Sequence, residues 1–260
     1  ATCLSRIGMT YMNLGDVTNA RQVVTESLAL FTEIGSRRDE VICNAFLCAI
    51  ELMAGDYQQA EFNAARSVAI ARNLDDEFVL GVAIGFLGWT HLFTDNVEGA
   101  LMTLREAVSI TKRTGATMDS VRWVSQLGLA QWKNGQPQQA RALAHESLRL
   151  AAQVIDPWSL LTAMSTTIAI LAEGEEPERA IELHSMLMHD PLCAASRWYA
   201  DGIGVYVVAA MEKLPSDIVE ARLSRGEELD QREQVAVLVT ELSERGWYGL
   251  NTIDKFGKKL

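Results

Sequence analysis

The chain contains no run of about eighteen consecutive apolar residues, which argues against a transmembrane helix. Proline is scarce, with five in 260 residues, and Asn-Gly or Asp-Gly turns are few, which is atypical of an all-β fold. Basic residues are also few: 23 Lys and Arg oppose 34 Asp and Glu, for a net charge of -11. Because an acidic surface repels phosphates, we expect no direct nucleic-acid binding by this segment. Because no transmembrane run is present, we expect no membrane partner. The 48% of hydrophobic residues is typical of a folded globular protein.

The sequence also lacks recognisable catalytic and metal-binding motifs. Of its four cysteines, no two form a Cys-x-x-Cys pair, and Cys43 and Cys48 would lie about 140° apart around a helix. We therefore expect free, buried cysteines. His184 and His189 are five residues apart, whereas a zinc pair on one helix needs a spacing of three or four. With no phosphate loop and no nucleophile elbow, we expect no enzymatic activity, no cofactor and no metal; a hydrolase with an unrecognised site is the remote alternative.

Alanine recurs every forty residues, and this spacing is the dominant signal in the sequence. The positions are Ala20, Ala60, Ala100, Ala140 and Ala180. Five residues before the alanine stands a helix-ending glycine in three cases, and the next residue is polar and typical of a helix start. Twelve residues before the alanine, the residue is small in four of five cases: Gly8, Cys48, Gly88, Gly128 and Ile168. The pattern predicts five pairs of helices, A and B, whose axes approach closely at the small residues.

The repeat also predicts where each helix begins and ends. The A helices are expected near 1–14, 41–54, 79–94, 118–133 and 158–172. The B helices are expected near 17–33, 57–72, 97–113, 137–152 and 177–188. Because no single pair buries its apolar faces, stacking of successive pairs must supply the core, and the fold class is all-α.

The first unit resembles the tetratricopeptide repeat. The family's signature positions are occupied by Leu4, Ile7, Gly8, Tyr11, Ala20, Val24 and Ser27. The resemblance spans residues 1–190 and implies a right-handed superhelical solenoid of antiparallel helix pairs, five units long. The period is forty residues where about 34 is usual, the proline that commonly closes the second helix is absent, and only the first unit keeps the helix-A tyrosine.

The longer unit resembles repeats found C-terminally in bacterial signal-transduction ATPases with numerous domains, including transcription regulators of the maltose-activator type in the LuxR family. Residues 55–72, GDYQQAEFNAARSVAIAR, resemble the sequence that is usual in that subfamily. The resemblance implies a cytoplasmic bacterial protein whose ATPase and DNA-binding parts lie upstream of this chain. Because the sequence opens within a first A helix and without an initiator methionine, we expect it to be the C-terminal part of a longer protein.

A different pattern follows Pro191. We expect one helix over 193–213, a shorter helix that begins with Ser216 as its N-cap and closes at Arg225-Gly226, and a last amphipathic helix over 230–245. Residues 191–246 are interpreted as the cap that a solenoid needs at its end. Residues 247–260 are interpreted as a tail.

The geometry of the resembled family places the A helices along the concave face of the superhelix. The expected lining of this face is mostly uncharged, although the protein as a whole is acidic. The candidate binding residues are Met9, Met12, Leu52, Trp89, Leu92, Arg122, Leu129 and Trp132. An exposed apolar surface with tryptophan anchors is typical of a binding groove. The alternative is that these side chains pack between helices or against the C-terminal helix.

The sequence therefore favours a non-enzymatic sensor segment of a larger signalling ATPase or transcription regulator. Its concave groove would take a partner protein or peptide, or a small effector such as a sugar, and would change shape on binding. The alternative from the same fold is a constitutive scaffold that holds a partner without switching.

Overall fold

The structure, a computed structural model, describes residues 2–154, 156–174 and 176–247. The described residues are predominantly helical and contain no β-strand, and successive helices pack in pairs along the chain. The predicted all-α, tetratricopeptide-like solenoid is confirmed.

Five helix pairs occupy the region of the forty-residue repeat. The A helices are α1 (Thr2–Asn13), α3 (Arg37–Ala54), α5 (Glu77–His91), α7 (Thr117–Lys133) and α9 (Pro157–Glu173). The B helices are α2 (Val17–Glu33), α4 (Tyr57–Ala71), α6 (Val97–Thr114), α8 (Pro137–Ala151) and α10 (Pro177–Met188). Each helix packs against the one before it and the one after it. The bounds agree with the predictions, and the largest difference is the earlier start of α3 at Arg37.

The turn inside each early pair has the predicted chemistry. Asp16, Asp56 and Asn96 cap the following B helices, each accepting a hydrogen bond from the backbone amide three residues later. Gly15 before the first cap has a φ of 73°, in the left-handed region that glycine adopts at little cost. Asp95 takes the same place with a φ of 55°, so the turn geometry is kept where the glycine is not.

The alanines of the repeat mark the closest approach of paired helices. All five are fully buried. On the facing A helix, a Cβ at Gly8 would lie against Val24, and a Cβ at Gly88 would lie 2.7 Å from Leu104. Because both partners at the crossing are small, the aliphatic side chains around them interlock and form a continuous core along the stack.

The single helix predicted over 193–213 is wrong. The chain forms α11 (Pro191–Ala194), α12 (Arg197–Tyr199), a π-helical turn (Ala200–Gly204) and α13 (Val205–Met211). Leu192, Trp198 and Ile203 are all buried. On one straight helix these three side chains would not share one face, and they would not all point at the helices that bury them. A π-helical turn inserts an extra residue and so rotates the side chains that follow it. We call residues 191–204 the strap.

Two short predictions about the remaining helices are also corrected. The helix α14 (Ser216–Glu227) has Pro215 as its N-cap, so Ser216 is its first residue and not its cap. Gly226 does not close α14, because the helix continues to Glu227. A Cβ at Gly226 would overlap the backbone oxygen of Glu182, so this glycine lets α14 approach α10 closely.

The last helix, α15 (Gln231–Glu244), packs on α8. His145 of α8 lies 2.8 Å from the Ser243 hydroxyl and 3.2 Å from the Val239 oxygen. Trp247, the first residue of the expected tail, is buried and lies under the guanidinium of Arg141. The expected tail beyond it, 248–260, lies outside the described residues.

Candidate partner-binding face

The inner sides of the A helices meet in an aromatic cluster centred on Trp89. The ring of Trp89 lies 6.0 Å from Phe86 on its own helix, 6.3 Å from Trp123 on α7 and 6.0 Å from Trp158 on α9. The shortest of these centroid distances, 5.0 Å, is to Trp198 of the strap. Trp89 meets the three tryptophans edge to face and Phe86 with nearly parallel rings. Such contacts add to the burial of large apolar surfaces, so the cluster ties the strap to three successive units.

The strap runs past the turns that join A and B helices. A Cβ at Gly15 would touch the Pro191 oxygen, and a Cβ at Gly55 would touch the Arg197 side chain. Further along, the Tyr57 hydroxyl donates a 2.6 Å hydrogen bond to Asp201. The strap therefore contacts the first and second units in order, and its own Trp198 and Tyr199 are fully buried.

The aromatic ring of Phe93 extends this contact to the third unit. It stacks on Tyr57 at 5.0 Å between centroids, and a Cβ at Gly202 would lie 2.8 Å from its edge. Burial, followed by the hydrogen bond to Asp201, raises the pKa of Tyr57. The hydroxyl is thus held protonated as a donor over the whole physiological pH range.

Most of the residues predicted to line an open groove are buried. Leu52, Trp89, Leu92 and Leu129 are at most 2% exposed, and Met12 is 4% exposed. The expectation of an open groove is not met at these five positions. The alternative reading, packing between helices and against the C-terminal segment, describes Trp89 directly, because Trp198 of the strap covers it.

A small hollow remains at the centre of the inner face, and every A helix contributes to it. It is lined by Met9, Met12, Phe46, Ala49, Phe86, Arg122 and Trp158. Its volume is about 40 Å³. At roughly 10–15 Å³ for each enclosed water, it holds about three, and it is too small for a sugar ring or a peptide. Three predicted residues, Met9, Met12 and Arg122, therefore come together here around a small space, and Met9 is 41% exposed to solvent.

Arg122 is engaged in a half-buried ion cluster. Its guanidinium lies 2.8 Å from Asp156, the N-cap of α9, and 3.1 Å from Asp119. Burial raises the pKa of Asp119, whereas at Asp156 the charge of Arg122 and hydrogen bonds from Ser159 outweigh burial and lower the pKa. The role of Arg122 in this structure is to neutralise two carboxylates, while its Nε atom is buried without a hydrogen-bond partner among the described residues.

Trp132 lies apart from the aromatic cluster. It is half-buried, and its indole nitrogen donates a 2.5 Å hydrogen bond to Glu173. The neighbouring Lys133 donates to the Leu92 oxygen at 3.1 Å, and burial lowers the pKa of its ammonium group. The candidate binding residues Trp89, Leu92 and Trp132 are therefore split between the core and the outer rim.

Three buried indoles of the cluster have no hydrogen-bond acceptor within the described residues. They are those of Trp89, Trp123 and Trp198. A buried donor left unpaired costs about 1–3 kcal/mol, so the closed face carries an internal penalty as well as its large apolar burial. The closed arrangement is therefore less stable than its buried area alone suggests.

The partners of Trp89 were not predicted. Trp123 had a signal in the sequence: Gly85 stands on the preceding A helix, and a Cβ there would overlap the Trp123 ring. Trp198 and Tyr199 had none, because they follow the end of the repeat and no periodicity assigns them to a face. Their position depends on the path of the strap.

The cysteines are free, as predicted. Cys43, Cys48 and Cys193 are buried as expected, whereas Cys3 is exposed, so the prediction of burial is wrong for Cys3. Burial raises the pKa of the three buried thiols, which makes them poor nucleophiles. Within the described ranges no group of three His, Cys, Asp or Glu side chains is placed to hold a metal ion, and no helix is both long and apolar enough to span a bilayer.

Comparison with known proteins gives one family match. Residues 1–31 match the family model of the tetratricopeptide repeat. Together with the stacked helix pairs, this match supports a tetratricopeptide-repeat domain. No curated protein matches the chain. Tetratricopeptide repeats generally mediate protein–protein interaction and are typically non-catalytic.

Proposed function

We propose that this chain is a non-enzymatic, protein-binding sensor segment of a larger bacterial signalling ATPase or transcription regulator. In this proposal residues 1–190 form the binding unit, residues 191–246 form its cap, and the protein is cytoplasmic. The observation that carries the proposal is the strap. A segment of the chain itself occupies the A-helix face through Trp198, in the manner of an internal ligand.

Binding on this face would compete with the strap. Trp198 of the strap lies on Trp89, and both rings are fully buried, so a ligand that uses this part of the face must displace the strap or bind a form without it. A ligand shifts such an equilibrium only by the difference between its affinities for the two forms. The unpaired indoles of Trp89 and Trp198 reduce the advantage of the closed form and so favour a switch.

Two contacts between the strap and the repeat helices can be removed one at a time, the ring contact of Trp198 and the hydrogen bond of Tyr57. We expect Trp198→Ala to increase amide hydrogen exchange across residues 191–204 and to raise the radius of gyration in small-angle scattering, with helicity retained. Tyr57→Phe removes the hydrogen bond to Asp201 without creating a cavity and is expected to have the same effect, but smaller. Trp132→Ala, whose indole lies outside the cluster, is the matched control.

The functional arm measures capture of bacterial partners by the wild-type chain, Trp198→Ala and Trp132→Ala. A partner enriched on Trp198→Ala and not on Trp132→Ala supports a face that the strap regulates. Equal capture by all three, with an unchanged radius of gyration on binding, favours the constitutive scaffold instead. The full-length gene product tests the wider context, since an upstream phosphate-loop module is expected in a signalling ATPase.

A further inference from the structure

A second apolar surface lies away from the A-helix face, between α10 and α13. It is a groove of about 460 Å³ whose lining includes His184, Met188, Tyr199, Val205, Val208 and Glu212. Met188, Val205 and Val208 are 40%, 51% and 53% exposed. Three large apolar side chains therefore share one concave surface and lie open to solvent.

These exposed residues occupy repeat positions that are buried elsewhere in the chain. Met188 lies forty residues after Leu148 and eighty after Val108, which are 0% and 9% exposed. Val208 lies forty residues after Ile168, which is fully buried. The groove is thus a continuation of the interface that packs each helix pair, interrupted where the sixth pair would form.

The helix that follows in register does not cover this groove. The range of α14 starts 39 residues after that of α10, but Glu220 stands where the repeat has alanine. A carboxylate at the closest crossing would be buried without a partner, which disfavours α14 as the missing B helix.

Instead, α14 is held on α10 by ion pairs and by close packing. Arg222 lies 2.6 Å from Glu178 and 2.8 Å from Glu182, and the Ser185 hydroxyl donates to the Leu223 oxygen at 2.7 Å. Because these contacts engage α14 on α10, the face presented by Val205 and Val208 stays uncovered.

The floor of the groove is firmly built. The rings of His184 and Tyr199 stack at 5.7 Å, and the His184 Nδ1 lies 3.0 Å from the Tyr199 hydroxyl. Tyr199 is 1% exposed. Small residues, Ala200 and Gly204, leave the space above this floor open, so a partner backbone is able to approach closely.

We propose that this groove binds an amphipathic α-helix of a partner protein, in the manner of the B helices of this chain. The helix presents small residues four apart, followed by an aliphatic residue, as Ala140, Ala144 and Leu148 do on α8, where all three are fully buried. Basic residues at its edge complement Glu212 at the rim and the net charge of -11. The inference goes beyond the proposed function and does not require an opening of the strap.

A peptide from this chain serves as the probe. Residues 137–151, PQQARALAHESLRLA, carry the helix-B pattern, and two arginines against one glutamate give them a net charge of +1 with histidine neutral. Fluorescence anisotropy of the labelled, end-blocked peptide is measured against the full chain. We expect saturable binding that Val208→Glu weakens at least about tenfold, because it places a charge in the apolar groove.

Matched controls distinguish binding in the groove from non-specific binding of the peptide. Met102→Glu changes a methionine that is 68% exposed on α6 and should leave binding unchanged, whereas Ala144→Glu in the peptide should abolish it. Val205→Ser, a milder change, guards against a folding defect in Val208→Glu and should weaken binding by a smaller factor. Absence of saturable binding to the wild-type chain, or equal loss with Val208→Glu and Met102→Glu, overturns the proposal.

A second copy of the chain is the competing occupant. In sedimentation velocity we expect the wild-type chain to form no dimer through this groove. A wild-type dimer that the Val208→Glu variant fails to form would contradict the proposal. If the peptide does not bind the groove, the strap experiments remain valid, because they measure amide exchange over residues 191–204 without peptide. Failure of the strap to respond to Trp198→Ala likewise leaves the peptide titration valid.

Discussion

Trp123 packs on an α-carbon that carries no side chain, that of Gly85. Trp89 lies between the rings of Phe86, Trp158 and Trp198. Trp89, chosen from the sequence as a binding anchor, is thus a packing anchor. A tryptophan is enriched both at binding surfaces and in large apolar cores, and its residue type does not distinguish the two.

Alanine substitution at the two candidate tryptophans should give different results. Trp89→Ala is expected to lower the free energy of unfolding by about 3–5 kcal/mol, because it empties the centre of the aromatic cluster. Trp132→Ala removes a half-buried side chain and one hydrogen bond to Glu173, and about 1–2 kcal/mol is expected. Urea denaturation followed by circular dichroism at 222 nm measures both. Equal effects would contradict the assignment of Trp89 to the core and Trp132 to the rim.

Among the helices, α14 is the one held most by charge. Gly226 is its only buried residue, whereas α15 buries Val235, Leu238 and Leu242. Glu182, 4% exposed, faces Arg179, Arg222 and Arg225. Elements with few buried apolar contacts open locally at low free energy, so α14 should be the first part of the cap to detach.

Removing the charge of Glu182 tests this. Glu182→Gln leaves the arginines without their shared carboxylate, and we expect amide exchange across residues 216–227 to accelerate at least about tenfold. Exchange across residues 231–244 in the same variant is the internal control, because α15 packs on α8 through apolar contacts and His145. Parallel acceleration in both helices would mean that the cap opens as one unit, contrary to this expectation.

For the whole molecule, two partly buried histidines link the cap to the stack. His184 bonds to Tyr199 of the strap, and His145 bonds to α15. Burial is the main cause that lowers the pKa of both. In the unfolded chain they protonate near pH 6.5, so below that pH the unfolded state binds protons that the native state does not. Acid should therefore weaken the fold through these two groups.

The pH dependence of unfolding checks this sign. The free energy of unfolding of the wild-type chain should fall as the pH drops from about 6.5 to the lowered native pKa values. The double variant His145→Gln/His184→Gln should fall less over the same range, while its difference from wild type is constant above pH 7.5. A wild-type chain that gains stability towards pH 5.5 relative to the double variant would contradict the assignment.

The repeat helices were predictable because their determinants are local and recur. Buried alanines, helix caps such as Asp16 and Asp56, and the left-handed Gly15 each act within a few residues of the chain. Repetition of the same pattern in five units then removes the ambiguity that a single short apolar segment has.

What the amino-acid sequence by itself determined was the class of fold, the paired helices and the free cysteines. Whether the A-helix face is open or closed was decided by tertiary structure alone. That outcome depends on the positions of Trp198 and Tyr199, which follow Trp89 by more than a hundred residues in the sequence. It also depends on the helix breaks that turn the strap towards Trp89. Local patterns indicate which residues prefer to be buried. They do not indicate the packing partner of each residue, because burial of an apolar side chain is favourable against any apolar partner. The packed chain alone decides that partner.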